Sequence, residues 1–495
     1  MELFTDVALL SRIQFAITII FHFLFVPLSI GLGLIMAINE TRYYRSRDPK
    51  DAAITKFWVK LFTVTFAIGV ATGITMEFSF GMNWANYSRF VGDIFGAPLA
   101  AEALLAFFME SVFLGILLLG RAKVSPRFYM ISAWLVWFGS CLSALWILIA
   151  NSWMQTPAGA EIAADGSKAI ITDFFAAALN PSIASRYSHT VLALLVLGAF
   201  AAIALSAWYM HKGKHEHFSQ VTLRIGAIVG LITFCALFVS AHSSAVLVSE
   251  EQPSKIAMME GHYDEGTLPL YAFGWVDEEN QEVITPFAIP GGTSFLADMD
   301  FTTEYAGLND LAEENPDIVV EDMPVNLVFQ SYHLMVAMFG AIALILALAL
   351  ISTFKKGCKL PQKKWVQWLF IISPLAPFAA IQSGWMTAEV GRQPYVVYPS
   401  TSGPDGVELL TNDAISMSVS STELIITICI FLAVYAFLLV AWLRIISRII
   451  KEGSNDSEMP VFEGAAVKAT DSCCAASQDT CEETADDKVS TGEAK

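Results

Sequence analysis

His22 lies among Phe21, Phe23 and Phe25 inside a long apolar run, where an ionisable side chain is costly and marks function by default. An imidazole there either hydrogen-bonds a neighbouring helix or binds a metal, and haem iron commonly takes such a ligand. A second apolar run carries Glu102 and Glu110. Eight residues of α-helix leave two side chains about 80° apart and about 12 Å apart in height. The carboxylates thus form two steps of one stripe beside Ser111, suited to a proton relay, a ligand set or a pair of structural acids. His333 and Met335 share a further run but point oppositely on a helix, so they cannot both hold one cofactor. Met335 alone reads as a gap filler, and His189, at the edge of its run, as an interfacial histidine. Glu389 and Arg392 stand three apart at the end of another run, the spacing of an ion pair.

The elements that must hold these residues are membrane helices. Charged residues make up 15% of the 495-residue chain and apolar ones 55%, with a mean hydropathy of +0.55. A soluble domain carries about 25% charged residues. Nine apolar spans cover 13–38, 57–80, 97–119, 128–150, 189–209, 221–243, 326–352, 365–387 and 421–444. Each approaches or exceeds the ~20 residues that cross a bilayer as a helix. The first is too long for a signal-peptide core and is expected to be retained. The fold expected is an all-α, polytopic membrane bundle of about nine transmembrane helices.

Basic residues alternate across the connections. Twenty-three of them, from Arg42 to the tail lysines, fall on one side, against six (Arg12, Arg89, Lys168, Arg186, Lys255 and Arg392) on the other. Positive connections stay in the cytoplasm, which places the N-terminus outside and the C-terminus in the cytoplasm. Residues 250–325 hold 18 acids against one base, and the tail 452–495 holds 11 against three. That balance disfavours nucleic-acid binding, which wants a basic patch. The expected organisation is an N-terminal six-helix part (1–243), an extracytoplasmic segment (244–325), a three-helix part (326–451) and a disordered acidic tail (452–495). The outer segment keeps Tyr271, Phe273, Trp275 and Phe295, so it reads as functional rather than disordered. His211, His215 and His217 stand among lysines and read as a solvated loop. Cys141, Cys235 and Cys429 read as small buried hydrophobes in helices, and Cys473, Cys474 and Cys481 lie in the tail.

Taken alone, His22, Glu102, Glu110 and Glu389 describe a buried polar system that fits a haem redox protein or a proton-coupled transporter. A copper-containing haem oxidase would need more intramembrane histidines than His22, His189 and His333.

Longer motifs narrow the choice. Arg12-Ile13-Gln14-Phe15, Glu77-Phe78-Ser79-Phe80-Gly81-Met82-Asn83-Trp84, Val91-Gly92-Asp93-Ile94-Phe95-Gly96-Ala97-Pro98-Leu99, Ala150-Asn151-Ser152-Trp153-Met154-Gln155 and Gly391-Arg392-Gln393-Pro394 occur in this order. In them the chain resembles subunit I of the cytochrome bd family of quinol oxidases, from about Leu9 to about Arg448. The resemblance implies two b-type haems and one haem d (or a b-type haem in its place). His189 and Met335 would hold the low-spin b haem, Glu389 the high-spin b haem, and His22 haem d with Glu102 near its other face. Arg392 would belong to the cofactor-binding set. Glu110, Ser111, Ser143 and Asn151 would carry protons from the cytoplasm, while Lys255 and Glu260 would serve quinol oxidation. A second oxidase subunit, a very small third one, quinol, dioxygen and a bacterial plasma (inner) membrane location are implied as well. The chain departs from the pattern at His333, where the family usually has Arg, and at Tyr395, where it has Trp.

Overall fold

The computed structural model describes residues 6–454 except Asp317 and Met417. The acidic tail from residue 455, with Cys473, Cys474 and Cys481, lies outside the described residues. Among those described, nine spans are long and apolar enough to cross a membrane. They are Val7–Ser46, Pro49–Met82, Ala85–Leu119, Pro126–Gln155, Phe174–Lys212, Glu216–Glu251, Val325–Phe354, Lys364–Val390 and Ser421–Glu452. In lipid every backbone amide must be satisfied within its own segment, which is why apolar runs of this length become helices.

Four spans are interrupted, each near a proline; the fifth breaks between Ala178 and Ile183, around Pro181. The first divides into helices Val7–His22 and Val26–Ser46. Pro27 lacks an N–H and its ring crowds the carbonyl four residues back, at Phe23. The chain therefore turns at 23–25, leaving His22 as the last residue of a half-helix. The eighth span breaks between Ile372 and Leu375, around Pro374. The third runs from Ala85–Ala101, which contains Pro98, through a wider π-helical stretch, Glu102–Phe107, into Phe108–Leu119. Short π segments recur at functional sites, and this one begins on Glu102.

The first and fifth spans touch backbone to backbone. A Cβ placed on Gly31 would lie 2.6 Å from Gly198 Cα, and one on Gly198 would lie 2.4 Å from the Gly31 carbonyl carbon. Small residues permit such crossings where lipid offers no hydrophobic drive for association. At one end of the bundle, buried Asp51 accepts from Arg42 Nε (3.1 Å), Ser46 Oγ (2.6 Å) and His217 Nε2 (2.9 Å). Arg121 there pairs with buried Glu40.

At the other end, the sixth span continues into a short helix, Pro253–Glu260, which Gly261 ends in the left-handed conformation (φ +61°). Three two-stranded antiparallel ladders follow: Gly266–Thr267 with Glu304–Tyr305, Leu270–Tyr271 with Ala288–Ile289, and Trp275–Asp277 with Glu282–Ile284. Ala257, Met258, Val276 and Leu308 bury against Val328 and Phe329 of the seventh span. The acidic segment after the sixth span is thus a packed cap.

Candidate functional site

A winding stripe on the fourth span gathers most of the polar groups. Counting from its middle, Gly139, Ser143, Asn151 and Gln155 repeat at multiples of four residues; each step of four turns by about 40°, so the stripe winds about 160° around the helix over about 24 Å. At the first position, the missing side chain of Gly139 makes room for buried Glu110; a Cβ would sit 2.7 Å from Glu110 Cγ. Ser143 Oγ donates to Glu102 Oε1 at 2.7 Å. Asn151 Nδ2 donates to Glu389 Oε1 at 3.0 Å, and Asn151 Oδ1 accepts from Arg186 at 3.4 Å. Gln155 Nε2 donates to Ala388 O (3.3 Å) and Glu389 Oε1 (3.5 Å), while its Oε1 accepts from Lys255 Nζ (2.5 Å) and Gln252 Nε2 (2.9 Å).

The short helix Pro253–Glu260 contributes two groups that water does not reach. Lys255 is 1% exposed, and its Nζ also donates to Gln252 Oε1 at 2.6 Å. Its stem lies along Gly391, where a Cβ would meet Lys255 Cγ at 3.0 Å. Burial pushes the Lys255 ammonium well below the ordinary lysine range, with Arg186 and Arg392 adding to the shift and Glu389 opposing it. Glu260, also 1% exposed, accepts from Thr293 Oγ1 at 3.2 Å through Oε1, while Oε2 is buried without a partner. Burial raises its carboxyl well above the usual range, the Thr293 hydrogen bond pulling the other way.

Each side chain able to hold iron is placed by its own neighbours. Thr72 gives its hydroxyl proton to the carbonyls of Ile68 and Gly69, so toward His22 it can only accept. His22 Nδ1 therefore carries the proton, 2.8 Å from Thr72 Oγ1, and Nε2 keeps a free lone pair. Gly73 adjoins that ring edge; a Cβ there would be 3.3 Å from His22 Cε1. His189 lies well inside the helix Ile183–Lys212, not at its edge, and its Nδ1 is buried without a partner. Met335 Sδ faces Gly384, where a Cβ would come within 2.7 Å. Glu389 Oε2 accepts from Arg392 Nη2 at 2.5 Å and retains a lone pair, while Arg392 Nε and Nη1 are buried and unpartnered.

Comparison with known proteins then decides the family. The profile described as "Cytochrome bd terminal oxidase subunit I" matches residues 10–454. The Bacillus subtilis protein "Cytochrome bd ubiquinol oxidase subunit 1" is 36% identical over 460 residues, 91% of this chain and 96% of its own. The chain belongs to the cytochrome bd terminal oxidase subunit I family. The Escherichia coli "Cytochrome bd-II ubiquinol oxidase subunit 1" is 32% identical over 518 residues, covering 92% of this chain and 99% of its own. The bd oxidase structure from Geobacillus thermodenitrificans superposes with a TM-score of 0.79 at 26% identity, over 90% of this chain and 99% of that one.

Haem, which cytochrome bd chains imply, suits these surroundings. A porphyrin supplies four nitrogens, so the protein need offer only one or two axial atoms. His22 Nε2 and Glu389 Oε2 have free lone pairs. The unpartnered nitrogens of buried Arg392 match the carboxylates that a haem carries.

Not every expected residue joins the site. Ser111 is exposed and bonds its own helix at Phe108 O (3.1 Å), turned away from buried Glu110. Asn151 pairs with Glu389, two turns beyond Ser143 and far from Glu110. His333 donates from Nδ1 to Phe329 O at 2.9 Å and stacks on Phe329 (4.0 Å), leaving Nε2 buried without a partner. The histidines read as a solvated loop are instead tethered: His217 to Asp51, His211 to Gln367 (3.1 Å) and His215 to Ser454 (3.4 Å). Gln155 and Arg186 carry no site role in the sequence reading, and Gln252 and Thr72 do not enter it. For Gln155 the signal was present in the four-residue repeat from Gly139.

Proposed function

We propose that the chain is the haem-bearing subunit of a quinol:oxygen oxidoreductase. It oxidises membrane quinol at the outer face and reduces dioxygen to water with cytoplasmic protons. The observation that carries this reading is the polar stripe of the fourth span, which meets an acid pair at its middle and the Lys255–Gln155–Glu389 group at its Gln155 end. Proton uptake and proton release are thereby kept apart along one helix. Charge separates across the membrane without a pump.

Each residue has a task in this scheme. Bound haems, two of b type and one d (or a b-type haem in its place), supply the one-electron carriers and the oxygen-binding iron. His189 and Met335 hold the low-spin haem, Glu389 the high-spin b haem with Arg392 beside it, and His22 haem d near Glu102. Glu110 accepts cytoplasmic protons and passes them toward Glu102 and Ser143. Ser111 and Asn151 are not on that path; Asn151 instead orients Glu389. Lys255 holds a quinol oxygen, and Glu260, with one oxygen free, takes a quinol proton. The charge split supports an N-terminus outside, in a bacterial plasma membrane. The sparsely buried third, seventh and ninth spans leave apolar faces, among them Leu104, Leu344 and Phe437, for a second and a small third subunit.

A reduced-minus-oxidised spectrum of the purified complex tests the proposal, with b- and d-type bands expected. A folded but colourless complex would overturn it in favour of a haem-free proton conductor or transporter.

A further inference from the structure

Gln155 is 0% exposed and sits where the fourth span, the short helix Pro253–Glu260 and the eighth span converge. Its orientation is dictated chemically. A lysine ammonium has only protons to give, so the oxygen of the Gln155 amide must face Lys255. The nitrogen must then face the Ala388 carbonyl and the Glu389 carboxylate, which only accept. Gln252 reinforces this polarity: its Oε1 takes a proton from Lys255, and its Nε2 donates to both Gln155 O (3.0 Å) and Gln155 Oε1. Hydrogen bonds thus run in one sense from Lys255 through a single amide to Glu389. In the described residues Lys255 has no carboxylate within ion-pairing distance, so the amide is its connection to the nearby negative charge.

We propose that Gln155 is a positioning residue that couples the quinol site to the haem site at Glu389. It holds Lys255 in place for quinol and transmits quinol binding to the Glu389 carboxylate. The inference rests on the reading of Lys255 as part of the quinol site and of Glu389 as a haem ligand.

Two substitutions separate the two halves of the amide. Gln155→Glu keeps an acceptor toward Lys255 but loses the donor toward Glu389; Gln155→Leu loses both. The readouts are KM for a short-chain quinol, haem content, and the change in haem absorption when a hydroxyquinoline N-oxide binds as a non-oxidisable quinol analogue. The analogue should shift the bands of the parent complex and should fail to shift them in either variant. KM should stay within about twofold in Gln155→Glu and rise about tenfold in Gln155→Leu, the size of one lost hydrogen bond to a charged group. Haem content should hold in both.

The proposal falls if the parent shows no analogue-induced shift, or if the shift survives in both variants. It falls equally if the two variants change KM alike, as a purely structural residue would make them do, or if both lose haem. Should Gln155→Leu alone fail to assemble, Gln155→Glu decides by the same criteria. Lys255→Ala tells the two failures apart. Unchanged quinol kinetics in Lys255→Ala defeats the quinol-site reading itself. A raised KM there, beside parental kinetics in Gln155→Leu, defeats only the coupling.

Discussion

Gly139→Ala is the sharpest test of the Glu110 station, because it moves the acid without removing it. The new methyl would stand 2.7 Å from Glu110 Cγ, 3.3 Å from Met109 Cε and 3.5 Å from Ala106 O. Ordinary contact begins near 3.4 Å, so Cγ must retreat by about 0.7 Å, while the Met109 methyl can swing aside cheaply. Overpacking of this kind costs about 1–3 kcal/mol. If about 1–2 kcal/mol of that strain falls on the carboxyl's working position, oxygen uptake per haem should drop about 5–30-fold. The assay is oxygen consumption at saturating quinol, normalised to haem content, in Gly139→Ala, Glu110→Gln and the double variant. Since both changes act on one group, the double variant should be no slower than Glu110→Gln alone. Full turnover in Gly139→Ala, or penalties that simply multiply in the double variant, would refute the reasoning.

Other variants probe the remaining parts. Glu110→Gln should slow steady-state oxygen reduction with near-normal haem, whereas Glu102→Gln should disturb the high-spin spectrum or occupancy; equal haem loss in both would erase the distinction. His189→Ala and Met335→Leu should each remove the low-spin b band, and His333→Ala should keep it, which visible spectra of purified complexes will show. Burial holds the Glu260 carboxyl protonated above the usual range, so quinol oxidation should climb with pH as its carboxylate form appears. Glu260→Gln should be slow and lack that rising limb in a pH series. Because the folded carboxyl binds its proton more tightly than the unfolded one, ionising it costs stability as pH rises. The Gln variant should therefore lose less thermal stability in alkaline buffer than the parent.

The spans were readable because membrane insertion depends on the length of apolar runs, which a sequence displays directly. Their ends were drawn too short; the fourth reaches Gln155 and the sixth Glu251, since helices extend past the hydrocarbon into the cap. Interruptions were harder to see. Pro27 stood in view, yet the turn at 23–25 needs the Phe23 carbonyl clash to be recognised. The π stretch at Glu102 has no side-chain signature. It alters how the two acids meet the fourth span, where their partners, Ser143 and Gly139, stand only four positions apart. Partnerships across the bundle were the least legible. Asn151 bonds a residue 238 positions away, and the link from His217 to Asp51 spans 166. No local periodicity reports such pairs, so the Asn151–Glu389 bond was not legible in the sequence.

The Gly31–Gly198 crossing bears on how this fold can drift in sequence. The half-helix that follows His22 and the helix that carries His189 are held together there by main chain, which is common to every residue type. Lipid-facing side chains can therefore be exchanged wholesale without changing the spacing between those two helices. An identity of only 26% beside a TM-score of 0.79 is what such a pivot allows. The tolerance has one narrow exception: a single methyl group at either glycine would pry the two helices apart.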